Sequence, residues 1–308
     1  MAPSRVALVS AYLGACLIWG STWMAIKVGL RGAAPLTSIA VRMTIAALIV
    51  LVILRVRHIA LPGERRFVRI GVFLGFFHIV LPYSLVYYGE QHIPSGLAAV
   101  LYAAMPLVVA LIARMALGER LTPRKIMGIL SGILGVAVIF SDSLRIGSNQ
   151  AIGAAAVTCS MLAASIGSVA TKRWAYGYHP LASLMIPFSV GAAATWLLAL
   201  ILEGPVSLHF DTTTWATIIY LAVAGSVTAL GLFFFVIQHL EVTVVSYQTF
   251  IIPIVAVLLG WAILGETITA RVALGAVMIL AGVSLAIFAP RSRARRNAQA
   301  RLRRTGPA

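Results

Sequence analysis

The sequence predicts an all-α integral membrane protein of ten transmembrane helices, built as two inverted five-helix repeats. Three observations predict it. Apolar residues make up 61% of the 308-residue chain and charged residues only 10%, more apolar surface than a soluble domain of this size hides. The apolar residues gather in ten segments, at about 7–29, 36–55, 68–89, 95–117, 124–141, 151–174, 180–202, 213–238, 242–264 and 270–289, each near the roughly 20 residues a bilayer core needs. The chain also repeats itself. A shift of 147 places Gln91-His92 on Gln238-His239, Pro106 on Pro253 and Leu117-Gly118-Glu119 on Leu264-Gly265-Glu266. A shift of 145 places Lys27 on Lys172, Pro35 on Pro180 and Ser38 on Ser183. Each copy holds five segments, an odd number, so the second copy starts on the opposite face of the membrane. Inverted repeats with a site between the halves are a design of secondary transporters. The expected units are residues 1–149, residues 150–290 and an arginine-rich tail, 291–308. The first segment lacks a small-residue cleavage site and is read as a retained helix.

The net charge of +16 follows the topology. With the N-terminus inside, 19 of the 24 Lys and Arg fall in inside loops and ends, 4 fall outside, and Arg42 lies within a span. That asymmetry puts both termini in the cytoplasm. It also accounts for the charge without nucleic acid. The tail, with seven arginines from Arg291 to Arg304, is expected to be disordered and held near anionic headgroups. Cys16 and Cys159 both lie in apolar segments, which gives no basis for a disulfide or a metal site. Phosphate loops and zinc-ligand spacings are absent from the sequence, and no cofactor is expected.

Taken in order, the segments carry these candidates. On the first, Trp19, Trp23 and Lys27 recur every fourth residue and share a face. They would line a cavity, the rings holding apolar groups and the lysine an anion; alternatively the rings pack and the lysine snorkels. On the second, Arg42 sits about seven residues in, roughly 10 Å deep at 1.5 Å per residue. It is assigned a structural role, bonding free carbonyls, with substrate binding as the alternative. On the third, His78 is mid-span, as a bridge to another helix or as a proton carrier. Tyr83 and Tyr87 follow with Glu90 beyond them, offering hydroxyls and ring faces. Tyr102 on the fourth, and Tyr247 with Gln248 on the ninth, precede Pro106 and Pro253. Both prolines remove a backbone hydrogen bond within a span and are read as matched hinges. Glu119 and Glu266 are read as structural ties closing the short loops of helix pairs 4–5 and 9–10. Gly128, Gly132 and Gly135 form a small stripe on the fifth, echoed by Gly275 and Gly282. Close packing is the default reading, and a dimer seam the alternative.

Some of these residues also resemble a known family. The run Ile18-Trp19-Gly20-Ser21-Thr22-Trp23-Met24-Ala25-Ile26-Lys27-Val28-Gly29 is similar to the first-helix signature of EamA-type proteins in the drug/metabolite transporter superfamily. Pro94-Ser95-Gly96-Leu97-Ala98-Ala99-Val100-Leu101, Met105-Pro106-Leu107 and Leu117-Gly118-Glu119-Arg120-Leu121-Thr122 resemble its fourth-helix signature. Ile252-Pro253 and Leu264-Gly265-Glu266 repeat that more weakly. The resemblance covers the chain except the tail. It implies a ten-helix carrier of the inner membrane, an exporter of amino acids or other small metabolites working by alternating access. An aromatic and cationic lining favours an amino acid or similar amphiphile. A drug-like cation is less favoured, because no carboxylate lies mid-membrane; a channel or lipid flippase is a further alternative. An enzyme is not expected, since the eight acidic residues are scattered, nearly all at helix ends. If transport is coupled to protons, His78 is the first candidate.

Overall fold

In the computed structural model, residues 3–93, 95–139, 141, 150–205, 208, 210–264 and 269–287 are described. The helices are α1 (Arg5–Gly29), α2 (Pro35–Val56), α3 (Arg65–His92), α4 (Ser95–Tyr102), α5 (Met105–Leu117) and α6 (Pro123–Ile139) in the first half. The second half holds α7 (Ala151–Trp174), α8 (Ala182–Leu202), α9 (Thr212–His239), α10 (Val242–Ser246), α11 (Gln248–Leu264) and α12 (Ala270–Ile287). Among the described residues there is no strand. Eight spans are long and apolar enough to cross a bilayer by themselves. The 17-residue α6 and the 18-residue α12 complete the ten. Two spans expected to be continuous are broken. The fourth divides into α4 and α5 at Ala103-Ala104, and the ninth into α10 and α11 at Tyr247. Pro106 therefore opens a helix rather than kinking one, whereas Pro253 lies inside α11.

Local chemistry sets the ends. Ser4 Oγ accepts the Ala7 N–H at 3.1 Å at the start of α1. Asp211 Oδ1 accepts the Thr214 N–H at 2.8 Å at the start of α9. The Thr214 side chain and N–H hold the Asp211 carboxyl below its ordinary value. Pro35 opens α2, where its missing N–H costs nothing. Gly118, with φ +68°, closes α5 in the left-handed region, which glycine adopts without a Cβ penalty.

The packing obeys a pseudo-two-fold. Each self-related pair packs together, α2 on α8 and α6 on α12. The other contacts come in matched sets: α1 packs on α9 and α11, and α7 packs on α3 and α5. Glycines allow the closest of these approaches. A Cβ on Gly128 would meet the Gly282 carbonyl at 2.5 Å, and one on Gly135 the Gly275 carbonyl at 2.7 Å. Phe250 covers Gly132. The glycine stripe is thus consumed inside the molecule, and the dimer-seam alternative is corrected.

Carboxylates also tie the halves. Glu203, at the end of α8, accepts the N–H groups of Leu36 and Thr37 at 2.6 and 2.9 Å, and the Thr37 hydroxyl at 2.7 Å. These are the unpaired donors of α2's first turn. On the other face, Glu119 accepts the Val242 N–H at 2.8 Å and the Thr243 hydroxyl at 2.7 Å. Glu119 therefore does not close its own loop, as expected from its spacing. Gly118 turns the chain so that the carboxylate reaches α10 of the other repeat; Thr122 serves the local loop, accepting the Lys125 N–H. Glu266, the loop at 142–149 and the tail at 291–308 lie outside the described residues.

Both third spans carry a π-helical turn, Gly75–Val80 in α3 and Leu221–Thr228 in α9. A shift of 147 superposes their centres. Such turns are rare and concentrate at functional sites.

Replacing Gly135 by leucine should force α6 off α12. Overpacking of this kind costs about 1–3 kcal/mol. We expect a clearly lower apparent Tm in detergent, while Gly63→Leu, at a glycine with open space around it, should leave it unchanged.

Candidate functional site

Between the repeats lies a cavity of about 190 Å³, the volume of roughly six waters at about 30 Å³ each. Its walls come in pseudo-equivalent pairs: Trp19 and Ala164, Tyr83 and Leu230, Val86 and Phe233, Tyr102 and Thr249, Met105 and Ile252. The cavity thus straddles the axis relating the two halves. The partners differ in chemistry. The first repeat supplies Trp19, His78, Tyr83, Tyr87 and Tyr102, while the second supplies Ala164, Leu230, Phe233 and Ile252 together with the smaller polar groups of Ser168, Gln248 and Thr249. The imidazole and the phenol hydroxyls of the lining thus come from the first repeat.

Hydrogen-bond directions show what each side chain has left to offer. Trp19 spends its N–H on the Gly225 carbonyl at 3.1 Å. Its ring is tilted against Phe233 with centroids 5.7 Å apart, so it presents a face, not a donor. His78 Nε2 lies 2.9 Å from Thr171 Oγ1. The Thr171 hydroxyl donates to the Gly167 carbonyl at 2.9 Å, which assigns the histidine as the donor and the proton of its neutral ring to Nε2. Tyr102 pairs with Ser160, and Ser160 donates to the Pro82 carbonyl at 2.8 Å. Tyr102 is therefore the donor in that pair.

The two π turns flank the cavity with different contents. In α3 the turn carries His78, and Gly167 opposite makes room for it. The matching residue in α9 is Gly225, against which Thr22 and the Arg42 guanidinium pack. Arg42 is 2% exposed. Its Nε donates to Ser226 Oγ at 2.9 Å, Nη1 to Tyr87 OH at 3.3 Å and Nη2 to Tyr83 OH at 3.5 Å. The carbon of the guanidinium stands 4.7 Å from the Tyr83 ring centroid. It bonds side-chain hydroxyls rather than the free carbonyls expected of it.

Of the sequence candidates, Trp19, His78, Tyr83, Tyr87, Tyr102 and Gln248 line the cavity. Pro106 and Pro253 each follow a lining residue, Met105 and Ile252. Trp23 and Lys27 continue the Trp19 face of α1 by spacing; their side chains lie outside the described ones. Tyr247 is not part of the cavity lining. It is fully buried in a second apolar cluster and stacks on Phe250 with centroids 6.1 Å apart. Neighbours in a helix point about 100° apart, so Gln248 facing the cavity turns Tyr247 away. Sequence reasoning missed Ser160, Thr171 and Ser226, which fix the pocket hydroxyls. Their one signal is a small polar residue inside an apolar span.

At the basic face two contacts join the halves: Lys125 Nζ donates to Glu241 Oε2 at 2.5 Å and Arg173 to the Ala116 carbonyl. Within the second half, Lys172 Nζ donates to the Gln238 carbonyl at 3.2 Å.

Ten helices in inverted sets around a central cavity define a multi-pass membrane transporter. The chain belongs to the EamA-like transporter family, whose model matches residues 7–141 and again 151–288. It is 24% identical over 284 residues to YoaV, an uncharacterised transporter of Bacillus subtilis strain 168, covering 92% of this chain and 97% of that one. It is 23% identical over 285 residues to a probable amino-acid metabolite efflux pump of Escherichia coli K12, covering 90% and 93%. A solved crystal structure superposes with a TM-score of 0.79 at 19% identity, covering 92% of this chain and 98% of that one, which shows the shared fold.

Removing the Trp19 ring should open the cavity without harming insertion. Aromatic contacts contribute about 0.5–1.5 kcal/mol beyond area, so Trp19→Ala should lower transport roughly tenfold with unchanged membrane yield. Wild-type kinetics in reconstituted vesicles would remove Trp19 from the site.

Proposed function

We propose that this protein exports small metabolites, above all amino acids or related amphiphiles, by alternating access through the cavity between the repeats. The observation that carries this reading is the pairing of cavity residues across the pseudo-two-fold. A site on that axis can be exposed to either side by rocking one repeat against the other. A lining that mixes hydroxyls, an imidazole and an amide with apolar side chains suits a molecule with one polar end and one apolar side chain. The E. coli relative named as an amino-acid metabolite efflux pump supports the substrate class. No carboxylate is among the described lining residues, which weighs against a drug-like cation. We place both termini in the cytoplasm and the protein in the bacterial inner membrane, with the tail at anionic headgroups. Pro106 and Pro253, beside lining residues in both halves, would absorb the bending. His78, held at Thr171, is the group that would take up a proton.

Counterflow in liposomes tests the reading directly. Vesicles loaded with pooled amino acids should accumulate one labelled compound at a time, saturably, for a few related amino acids. Absence of accumulation across the pool, with folded protein, would reject the amino-acid assignment.

Alternating access requires the basic face to open. Glu119 donates nothing and accepts three bonds there, and bonds to a charged group contribute about 1.5–3 kcal/mol each. Glu119→Gln should therefore shift the resting population toward the cytoplasm-open state by at least roughly tenfold. A reporter cysteine in place of Ser168 should label correspondingly faster from the cytoplasmic side.

His78→Gln keeps an N–H donor for Thr171 and removes the titratable ring. The pH dependence of transport should flatten if this ring carries the coupled proton. An unaltered pH profile would exclude His78 from coupling.

A further inference from the structure

We infer that the site recognises a carboxylate, and that Arg42 supplies the opposing charge through Tyr83 and Tyr87. This rests on the carrier reading above and narrows it. Arginine stays protonated in any protein environment, so α2 carries a full positive charge inside the bilayer. Everything Arg42 touches is neutral: Ser226, Tyr87, Tyr83 and the Tyr83 ring. Among the described residues no carboxylate is bonded to it; Glu90, one turn beyond Tyr87, lies near enough to act on Tyr87 and Tyr102. A buried charge without a counter-charge is costly, and an arriving anion would relieve that cost.

The direction of the bonds says how the anion is met. The guanidinium can only donate, so it occupies lone pairs of both tyrosine oxygens. Each hydroxyl hydrogen is then left to donate elsewhere, and neither has an acceptor among the described residues. Both tyrosines line the cavity. A cation behind two hydroxyls makes them stronger donors, and two donors one helical turn apart on α3 suit the two oxygens of a carboxylate. Gly225 is what lets the arginine sit here. A Cβ at that position would fall 3.1 Å from Arg42 Nη2 and 2.9 Å from Thr22 Cγ2.

The test uses the full-length protein in proteoliposomes and compares leucine, 4-methylpentanoate, leucinamide, leucine methyl ester and isopentylamine as competitors of counterflow and as stabilisers against thermal unfolding. Compounds with a free carboxylate should be preferred over the amide, ester and amine by at least roughly tenfold, as for a charge-assisted bond against a neutral one. Arg42→Gln should collapse that ratio. If this variant does not fold, Tyr83→Phe combined with Tyr87→Phe removes the donors and leaves the guanidinium in place; it should collapse the ratio too. A merely structural arginine would lower all five compounds alike and leave the ratio intact, which would overturn the inference. Equal preference in the wild type would also overturn it, while leaving the carrier reading standing. Preference for 4-methylpentanoate with no response to leucine would support it and overturn the amino-acid reading instead. Stabilisation by chloride alone, matching that by leucine, would mean that a resident halide holds the charge, and would overturn it.

Discussion

Hydrocarbon offers no hydrogen bonds, and this one constraint shapes the molecule at every scale. Within helices, hydroxyls of Ser165, Thr171 and Thr195 fold back on carbonyls one turn earlier. At helix starts, a donor set that water would satisfy in a soluble protein is taken by a carboxylate from the opposite repeat. Glu203 does this for α2 and Glu119 for α10. The same rule turns Trp19 and Tyr102 into oriented groups, since each must spend its hydrogen on a neighbour. What remains unspent around the cavity is what a substrate meets. Recognition here is the remainder of an accounting that the bilayer imposes.

The pseudo-two-fold gives the cavity its place but not its chemistry. Backbone elements match closely between the halves, down to the π turns, while the residues at paired positions diverge. Tyr83 faces Leu230, Tyr102 faces Thr249, and His78 answers to Gly225. Gly225 in the second repeat leaves the space into which Arg42 extends. A symmetric frame suits the exchange of two conformations, and an asymmetric lining suits a molecule with two unlike ends. Both demands are met because they act on different atoms.

The spans and their inversion were legible in the sequence, since hydropathy and an odd repeat length report them directly. The breaks at Ala103-Ala104 and Tyr247 were not, because the apolar run continues across both. Gln248 was identified with its neighbour Tyr247, which sits at the break between α10 and α11 and is buried in the second apolar cluster instead. Arg42 was visible as a charge at depth. Its partners lie 41, 45 and 184 residues away in the chain, so no local pattern could name them. Glu203 looked like a loop residue beside Gly204-Pro205, because its task is to cap a helix 166 residues earlier. Single-sequence reasoning reached what is periodic or local and stopped at pairings made only by the folded chain.

The π turns have a consequence for how this fold tolerates insertion and deletion. Each widens its helix by part of a residue, and one residue in an α-helix subtends about 100°. A π turn holds an extra residue over the same sweep, so deleting one within Leu221–Thr228 would let α9 relax to a regular helix with Phe233 still at the cavity and the Gln238 amide still at the backbone carbonyls of Ala175 and Tyr178. A deletion elsewhere in the span has no such slack and would turn everything beyond it by about 100°. The third and eighth spans thus each carry one place where a residue can be lost without loss of phase, beside the loop after α2, where Gly63 meets open space.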